Sequence, residues 1–207
     1  MLKIKRCEGF PSHCFCVMIS FVDIERIGVR LMNKLYPIRY YDKKEDIPFQ
    51  LYYDNGYRGV MFDIDNTLVP HNCPIDDKTK EFINHLKEIG FSICLISNNS
   101  EERVKLFAEP LGVSYTYKAW KPSRKGYQEG MKTLGTDTGN TLFVGDQIYT
   151  DIWGANRANV YSILLDPINP KEEIQIILKR IPEKYIKWRY RKIKKLGKNE
   201  YDALDRL

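Results

Sequence analysis

The sequence predicts an α/β protein built on a doubly wound parallel sheet, and three observations support this fold class. Short apolar runs alternate with amphipathic helical segments through the middle of the chain. Polar and acidic residues follow the ends of several of these runs instead of interrupting them. The chain has 207 residues, of which 43% are hydrophobic, so one domain can bury both faces of such a sheet. Parallel strands need right-handed crossovers, which place helices on both faces.

The predicted elements alternate strictly along the chain. Gly59 to Ile64 forms the first buried strand, and Asp77 to Ile89 forms a helix with Phe82, Ile83 and Leu86 on one face. The later elements are a strand over Phe91 to Ile96, a helix over Glu101 to Ala108, a more polar strand over Val113 to Tyr117, a helix near Ser123 to Leu134, a strand over Thr141 to Val144, a helix near Thr150 to Ala158, a strand over Tyr161 to Leu165 and a helix from Lys171. In such sheets the ligand binds beyond the carboxyl ends of the strands.

The two ends of the chain differ from this middle part. Residues 1–31 show neither strand nor helix periodicity, and we expect translation to start at Met32. The net charge is +6, but ten basic residues and one acidic residue lie between Lys179 and Lys198. We therefore expect an extension over 1–31, one domain over 32–182 and a basic tail over 183–207. Such a tail is either a solvated face or a contact for an anionic partner.

Composition excludes several classes of protein. No window reaches the roughly 18 to 20 apolar residues of a membrane-spanning helix, so an integral membrane protein is not expected. Five cysteines, with Cys7, Cys14 and Cys16 close to the start, do not form a disulfide framework, and we expect a cytoplasmic protein. His13 lies beside two of them, but no second ligand pair stands at zinc spacing.

Two pairs of acidic residues follow predicted strands. Asp63 and Asp65 stand at the end of the first strand, and Asp146 and Asp151 follow the strand over Thr141 to Val144. Because the carboxyl ends of parallel strands meet at one edge, we expect the two pairs to converge there. Buried carboxylates need a cation or a cage of hydrogen bonds. The pattern therefore predicts a site for Mg²⁺, a hard cation that keeps waters and accepts substrate phosphate.

Two groups that suit phosphate lie between the acidic pairs. Ser97 follows the strand over Phe91 to Ile96, and Lys121 comes shortly after the next strand. A hydroxyl, neighbouring backbone N–H groups and an ammonium can bind phosphate oxygens while Asp63 attacks phosphorus in line. Asp65 would protonate the leaving oxygen and then activate water. Each motif alone is weak, but their order, each at the end of a strand, predicts a phosphoryl-transfer site.

These motifs resemble those of the haloacid dehalogenase superfamily. The resemblance is closer still to the YqeG-type phosphatases of its subfamily IIIA, which are related to the mitochondrial phosphatidylglycerophosphate phosphatases, and it extends over about 33–195. The matching stretches are Asp63-Ile64-Asp65-Asn66-Thr67-Leu68-Val69, Ser97-Asn98-Asn99, Lys118-Ala119-Trp120-Lys121-Pro122, and Gly145-Asp146-Gln147 through Thr150-Asp151 to Asn156-Arg157.

The resemblance implies roles for individual residues. Asp63 would be the nucleophile, and Asp65 would be the general acid and base, with its backbone carbonyl on Mg²⁺. The implied metal-binding residues are Asp63, Asp65, Asp146 and Asp151, the last either directly or through water. The implied phosphate-binding residues are Ser97, Asn98 and Lys121. Lys118 competes with Lys121 for this role, although the Lys-Pro dipeptide favours Lys121.

The spacing of the motifs leaves no room for a cap domain. Asp65 and Ser97 are 32 residues apart, and Ser97 and Lys121 are 24 residues apart. Each interval is about one crossover unit, for which roughly 30 residues suffice. An open site cannot enclose a small metabolite by lid closure, which favours a large substrate whose own bulk covers the site. A phosphorylated lipid, a nucleic-acid end or a phosphoprotein would qualify.

Three functions remain open from the sequence. The first is a Mg²⁺-dependent phosphatase acting on a phospholipid such as phosphatidylglycerophosphate, with Lys184 to Lys195 lying on the inner, anionic membrane surface, where each cation adds about 1 kcal/mol. The second is a phosphatase for nucleic-acid ends, whose tail binds the phosphate backbone, although no nucleic-acid-binding module accompanies it. The third is a non-catalytic scaffold, which the presence of Asp63 and Asp65 disfavours.

Overall fold

The computed structural model describes residues 34–169 and 185–192. Six strands form one sheet in the order β1-β6-β5-β2-β3-β4, and every neighbouring pair is parallel. The predicted doubly wound parallel sheet is therefore confirmed, and the described residues contain no cap domain. The strands are β1 (Arg39–Tyr41), β2 (Gly59–Phe62), β3 (Ser92–Ile96), β4 (Ser114–Thr116), β5 (Thr141–Gly145) and β6 (Tyr161–Leu165).

Helices connect the strands and cover both faces of the sheet. A short 3₁₀ turn over Lys44–Asp46 follows β1, and a π-helix over Ile148–Ile152 leads directly into α5. None of the helices in these two described segments is long and apolar enough to cross a membrane. The helices are α1 (Phe49–Asp54), α2 (Asp77–Ile89), α3 (Glu101–Leu111), α4 (Arg124–Leu134), α5 (Trp153–Arg157) and α6 (residues 185–192).

The helix boundaries follow the capping residues more closely than the apolar pattern. The bounds predicted for α2 are confirmed, because Asp76 accepts a hydrogen bond from the Thr79 backbone and Gly90 ends the helix in the left-handed region, at φ 112°. α3 runs three residues beyond its predicted end at Ala108. Pro110 lies inside its last turn, and the helix ends at the left-handed Gly112.

Side chains alternate between the two faces of each central strand, and both faces are buried. Val60 and Phe62 pack in the larger core, which lies against α1, α2 and α3, whereas Met61 packs in the smaller core against α4 and α5. In β5, Leu142 belongs to the larger core and Phe143 to the smaller one. This double burial explains why the strands read as continuous apolar runs.

The first strand and the last described helix were not predicted as parts of the sheet architecture. β1 is only three residues long and pairs with β6 at the edge. Helix α6 buries Ile186 and Tyr190 against this edge, beside Leu164 and Tyr36. The described part of the basic tail is therefore packed on its apolar side. The expected helix from Lys171 and the expected extension over 1–31 lie outside the described residues.

The strand order reverses between β2 and β5. From β2 the chain continues to β3 and β4 on one side, and from β5 it continues to β6 on the other. Such a switch point opens a crevice outside the carboxyl ends of the two central strands, which is where parallel sheets bind ligands.

Candidate active site

Three buried aspartates meet at this switch point. Asp63 directly follows β2, Asp146 directly follows β5, and Asp151 lies in the π-helix after β5. One carboxylate oxygen from each residue lies within 4.8 Å of the other two. The structure thus brings together three of the four acidic residues that the sequence predicted to converge.

Lys121 reaches this cluster from the loop after β4. Its Nζ donates to Oδ1 of Asp63 at 2.5 Å and to Oδ1 of Asp151 at 2.7 Å. Burial disfavours the ammonium, but the two carboxylates outweigh it and hold the pKa of Lys121 above its ordinary value. Burial raises the pKa of Asp63, Lys121 opposes this shift and Asp151 adds to it. Lys118, the competing lysine, is exposed.

The loop that carries Lys121 is fixed by residues that follow β3. The Lys121 backbone N–H donates to Oδ1 of Asn98 at 2.7 Å, and Nδ2 of Asn98 donates to the Lys121 carbonyl at 3.2 Å. The Ala119 N–H also donates to the Ser97 carbonyl at 3.0 Å. The Asn98 side chain therefore positions Lys121, and phosphate contacts by Ser97, Asn98 and Lys121 stay predictions.

Asp151 owes its position to close packing around the π-helix. The Gln147 N–H donates to Oδ2 of Asp151 at 3.0 Å, and the Tyr127 hydroxyl donates to the Asp151 carbonyl at 3.1 Å. A Cβ atom at Gly145 would lie 2.7 Å from Cγ of Asp151. Only glycine at this position leaves room for the Asp151 carboxylate.

The side chain of Asp65 lies outside the three-carboxylate cluster. Arg103 Nη2 donates to its Oδ1 at 2.7 Å, and Asn99 Nδ2 donates to its Oδ2 at 2.8 Å. The backbone N–H of Asn72 also donates to Oδ1, at 3.0 Å. A role in general acid–base chemistry and a metal contact through its backbone carbonyl stay predictions.

Sequence reasoning missed two residues that shape the site. Arg103 was read as part of an ordinary helix, although a cation in the first turn of a helix opposes the helix dipole and so signals another purpose. Tyr127 looks like a core aromatic residue, and its ring is fully buried against Phe143. Only the fold shows that its hydroxyl reaches the backbone of Thr150 and Asp151.

The donor set fits Mg²⁺. Three buried carboxylates and one ammonium leave a negative group of oxygen ligands, which suits a hard divalent cation. The hydroxyl of Thr67, two residues after Asp65, is buried and has no hydrogen-bond partner among the described residues. A buried unpaired hydroxyl costs free energy, so it is consistent with a polar ligand at this edge.

Comparisons with known proteins agree with the geometry. Residues 69–159 match the haloacid dehalogenase-like hydrolase family. The chain is 36% identical over 116 residues to the "Probable phosphatase YqeG" of Bacillus subtilis, covering 56% of this chain and 67% of that protein. It is 27% identical over 132 residues to the chloroplastic and mitochondrial phosphatidylglycerophosphate phosphatase 1 of Arabidopsis thaliana, covering 59% of this chain and 38% of that protein.

A solved structure of an uncharacterized protein from Listeria monocytogenes serotype 4b is also similar. It shares 21% identity and a TM-score of 0.45, with 56% of this chain and 84% of that chain covered. The family match and the curated relative define the class of protein as a hydrolase. The chain belongs to the haloacid dehalogenase-like hydrolases, as a phosphatase similar to YqeG, and the predicted resemblance is confirmed.

Proposed function

We propose that this phosphatase is a Mg²⁺-dependent phosphomonoester hydrolase that works through a phosphorylated Asp63, with a phospholipid as substrate. The observation that carries the proposal is the buried cluster of Asp63, Asp146, Asp151 and Lys121 at the switch point of the sheet. A nucleophilic carboxylate, a metal site and a phosphate-binding cation are the parts that such a reaction needs.

The residues divide the reaction between them. Asp63 attacks phosphorus, the bond to the leaving oxygen breaks, and Asp65 gives that oxygen a proton. Asp65 then takes a proton from the water that attacks the phosphorylated Asp63, which releases phosphate. Lys121, already beside Asp63, binds a phosphate oxygen and offsets the negative charge that the group brings into the cluster.

Asp63, Asp146 and Asp151 would hold the metal, together with the backbone carbonyl of Asp65. A bound Mg²⁺ supplies positive charge that favours the ionised nucleophile and neutralises phosphate oxygens. The burial of the three carboxylates supports this assignment, because such a group is costly without a cation.

A groove at the same edge supports a lipid substrate. It has a volume of about 620 Å³, and its lining includes Thr67, which follows Asp63 by four residues. Its lining is mixed: lysines and acidic side chains alternate with apolar ones such as Leu68, Pro70 and Ile168. A nucleic acid needs a positively charged track, which this lining does not provide, whereas a phospholipid presents both polar and apolar parts. The similarity to the Arabidopsis phosphatidylglycerophosphate phosphatase makes phosphatidylglycerophosphate the first candidate.

Two exposed aromatic surfaces support a peripheral position on an anionic membrane. Trp120, next to Lys121, is 74% exposed. On α6, Tyr185 and Trp188 are exposed and Lys192 lies over the Trp188 ring, 5.3 Å from its centroid. Aromatic side chains beside cations suit the headgroup region of a bilayer.

Phosphate release from vesicle-bound phosphatidylglycerophosphate, from 5′-phosphorylated oligonucleotides and from a small soluble ester tests the proposal. We expect turnover of the lipid, its loss on chelation and its return with Mg²⁺. Asp63→Asn should reduce release from every substrate by at least about a thousandfold while the protein stays folded. Chelator-resistant activity would contradict the metal assignment. Preferential release from oligonucleotides would make nucleic-acid ends, and not a lipid, the substrate.

A further inference from the structure

The carboxylate of Asp65 accepts hydrogen bonds from three donors. Oδ1 accepts from Arg103 and from the Asn72 backbone, and Nδ1 of His71 lies 3.6 Å from the same oxygen. Oδ2 accepts from Asn99 alone among the hydrogen bonds to Asp65 described above. The carboxylate is therefore fixed from two sides, by the loop after β2 and by the start of α3.

Arg103 forms this contact from a position in α3 that does not favour a cation. It lies in the first turn of the helix, where the dipole disfavours a cation, and fixing its long side chain costs rotamer entropy. The guanidinium carbon lies 5.4 Å from the centroid of the Phe107 ring. Its Nε is buried and has no hydrogen-bond partner within residues 34–169 or 185–192. Apart from the Phe107 ring, the favourable contact of this guanidinium among the described residues is the ion pair with Asp65.

Counting acceptor sites indicates which oxygen of Asp65 reacts. A carboxylate offers about four lone-pair sites, two on each oxygen. Oδ1 already accepts two hydrogen bonds, from Arg103 and Asn72, whereas Oδ2 accepts one. Oδ2 thus keeps a site for the proton that is transferred, and Oδ1 serves as the anchor.

We propose that Arg103 is a positioning residue that anchors Oδ1 of Asp65, so that Oδ2 exchanges the proton with the leaving oxygen and with water. This inference rests on the proposed function. When the phosphorus–oxygen bond breaks, its electron pair goes to the leaving oxygen, which takes the proton from Oδ2. In the second half, Oδ2 takes a proton back from the attacking water. Oδ1 can accept from Arg103 in both protonation states.

Two esters of nearly equal size separate positioning from a structural role. 4-Nitrophenolate leaves without a proton, whereas the phenolate of phenyl phosphate depends on one. The kcat/KM value reports the steps up to departure of the leaving group, and a general acid contributes about 10²–10⁴-fold. We expect Arg103→Met to lower kcat/KM about a hundredfold for phenyl phosphate but less than about threefold for 4-nitrophenyl phosphate.

The controls make the result decisive. Lys105→Met removes an exposed cation from the same helix, where Lys105 pairs with Glu109 at 3.4 Å, and should leave both values unchanged. Arg103→Lys keeps the charge without the planar fork and should give an intermediate ratio, which also carries the test if Arg103→Met does not fold. Equal losses on both esters, or no loss on phenyl phosphate, would overturn the positioning role.

The proposed function is checked in the same assay by a different comparison. Release by the wild-type protein and its loss in Asp63→Asn report the nucleophile, and neither depends on the ratio between the two esters. If those two results hold and the ratio does not change in the Arg103 variants, only the role of Arg103 is wrong. If the wild-type protein releases phosphate from neither ester and from no vesicle-bound phosphatidylglycerophosphate, both proposals fail.

Discussion

Lys121 illustrates how a single residue connects the stability of this fold with its chemistry. It is a buried cation between two buried carboxylates, and its backbone is fixed at both polar atoms by Asn98. A buried ion pair contributes little beyond its own desolvation cost, but removing one partner leaves uncompensated charge behind. In the proposed function the same ammonium would also bind phosphate.

Replacing Lys121 should therefore damage both stability and activity. We expect Lys121→Met to lower the free energy of unfolding by about 3 kcal/mol, measured by urea denaturation in the presence of chelator, and to abolish phosphate release. Lys118→Met is the matched control, because Lys118 is exposed in the same loop, and should change stability by less than about 0.5 kcal/mol. Equal effects of the two substitutions would contradict the assignment of Lys121 to the cluster.

At the scale of elements, helix α6 has one buried side and one exposed side. Ile186 and Tyr190 are buried against β1 and β6, and Lys187 pairs with Asp166 at 3.1 Å. Tyr185 and Trp188 face solvent on the opposite side. Deleting the tail would uncover part of the core, so point substitutions test membrane docking more cleanly than truncation does.

Substitutions on the two sides of α6 should have opposite effects. Ile186→Ala should lower the free energy of unfolding by about 2–4 kcal/mol through lost burial. Trp188→Ala should leave stability within about 0.5 kcal/mol of wild type but weaken cosedimentation with anionic vesicles. Added salt should weaken this binding as well, because exposed charges are screened over about 10 Å at 0.1 M. Vesicle binding unchanged in Trp188→Ala would remove α6 from the proposed membrane contact.

The strands and loops also differ in the reactivity of their thiols. Cys94 lies inside β3, and burial raises the pKa of its thiol to about 12, so the reactive thiolate is scarce. Cys73 is half-buried in the loop after β2. Iodoacetamide followed by peptide mass spectrometry should label Cys73 in the native protein and Cys94 only after denaturation. Rapid native labelling of Cys94 would argue against the central position of β3.

At the scale of the whole molecule, the proposed metal site would couple ligand binding to folding. Asp63, Asp146 and Asp151 come from separate segments that only the folded sheet brings within 4.8 Å. A cation that binds this arrangement binds the native state and not the unfolded chain. Such a ligand stabilises the protein in proportion to its occupancy.

Magnesium should therefore raise the thermal unfolding temperature. At a concentration 100 times its Kd, Mg²⁺ adds about 2.7 kcal/mol, which corresponds to roughly 5–10 °C for a chain of this size. Differential scanning calorimetry with Mg²⁺ and with chelator measures the shift. Asp146→Asn removes one ligand and should abolish the difference, and an equal shift in this variant would place the metal elsewhere.

The sequence by itself determined the alternation of strands and helices and the order of the motifs. Both faces of strands such as β2 and β5 are buried, so each strand is a continuous apolar run. Such runs can be recognised from the sequence without a structure. Asp63 and Asp146 follow them directly, which was enough to predict an edge rich in carboxylates. The short strand β1 was not predicted, because three residues at a sheet edge give too little hydrophobic pattern to detect.

Only the tertiary structure decided which partners the predicted site residues contact. The choice between Lys118 and Lys121 depends on which lysine points inward, and the separation of Asp65 from the other carboxylates depends on Arg103 and Asn99. These contacts join residues 34 to 58 positions apart in the chain. Local periodicity reports which face of an element is buried, whereas partners at such distances are set by how the elements pack.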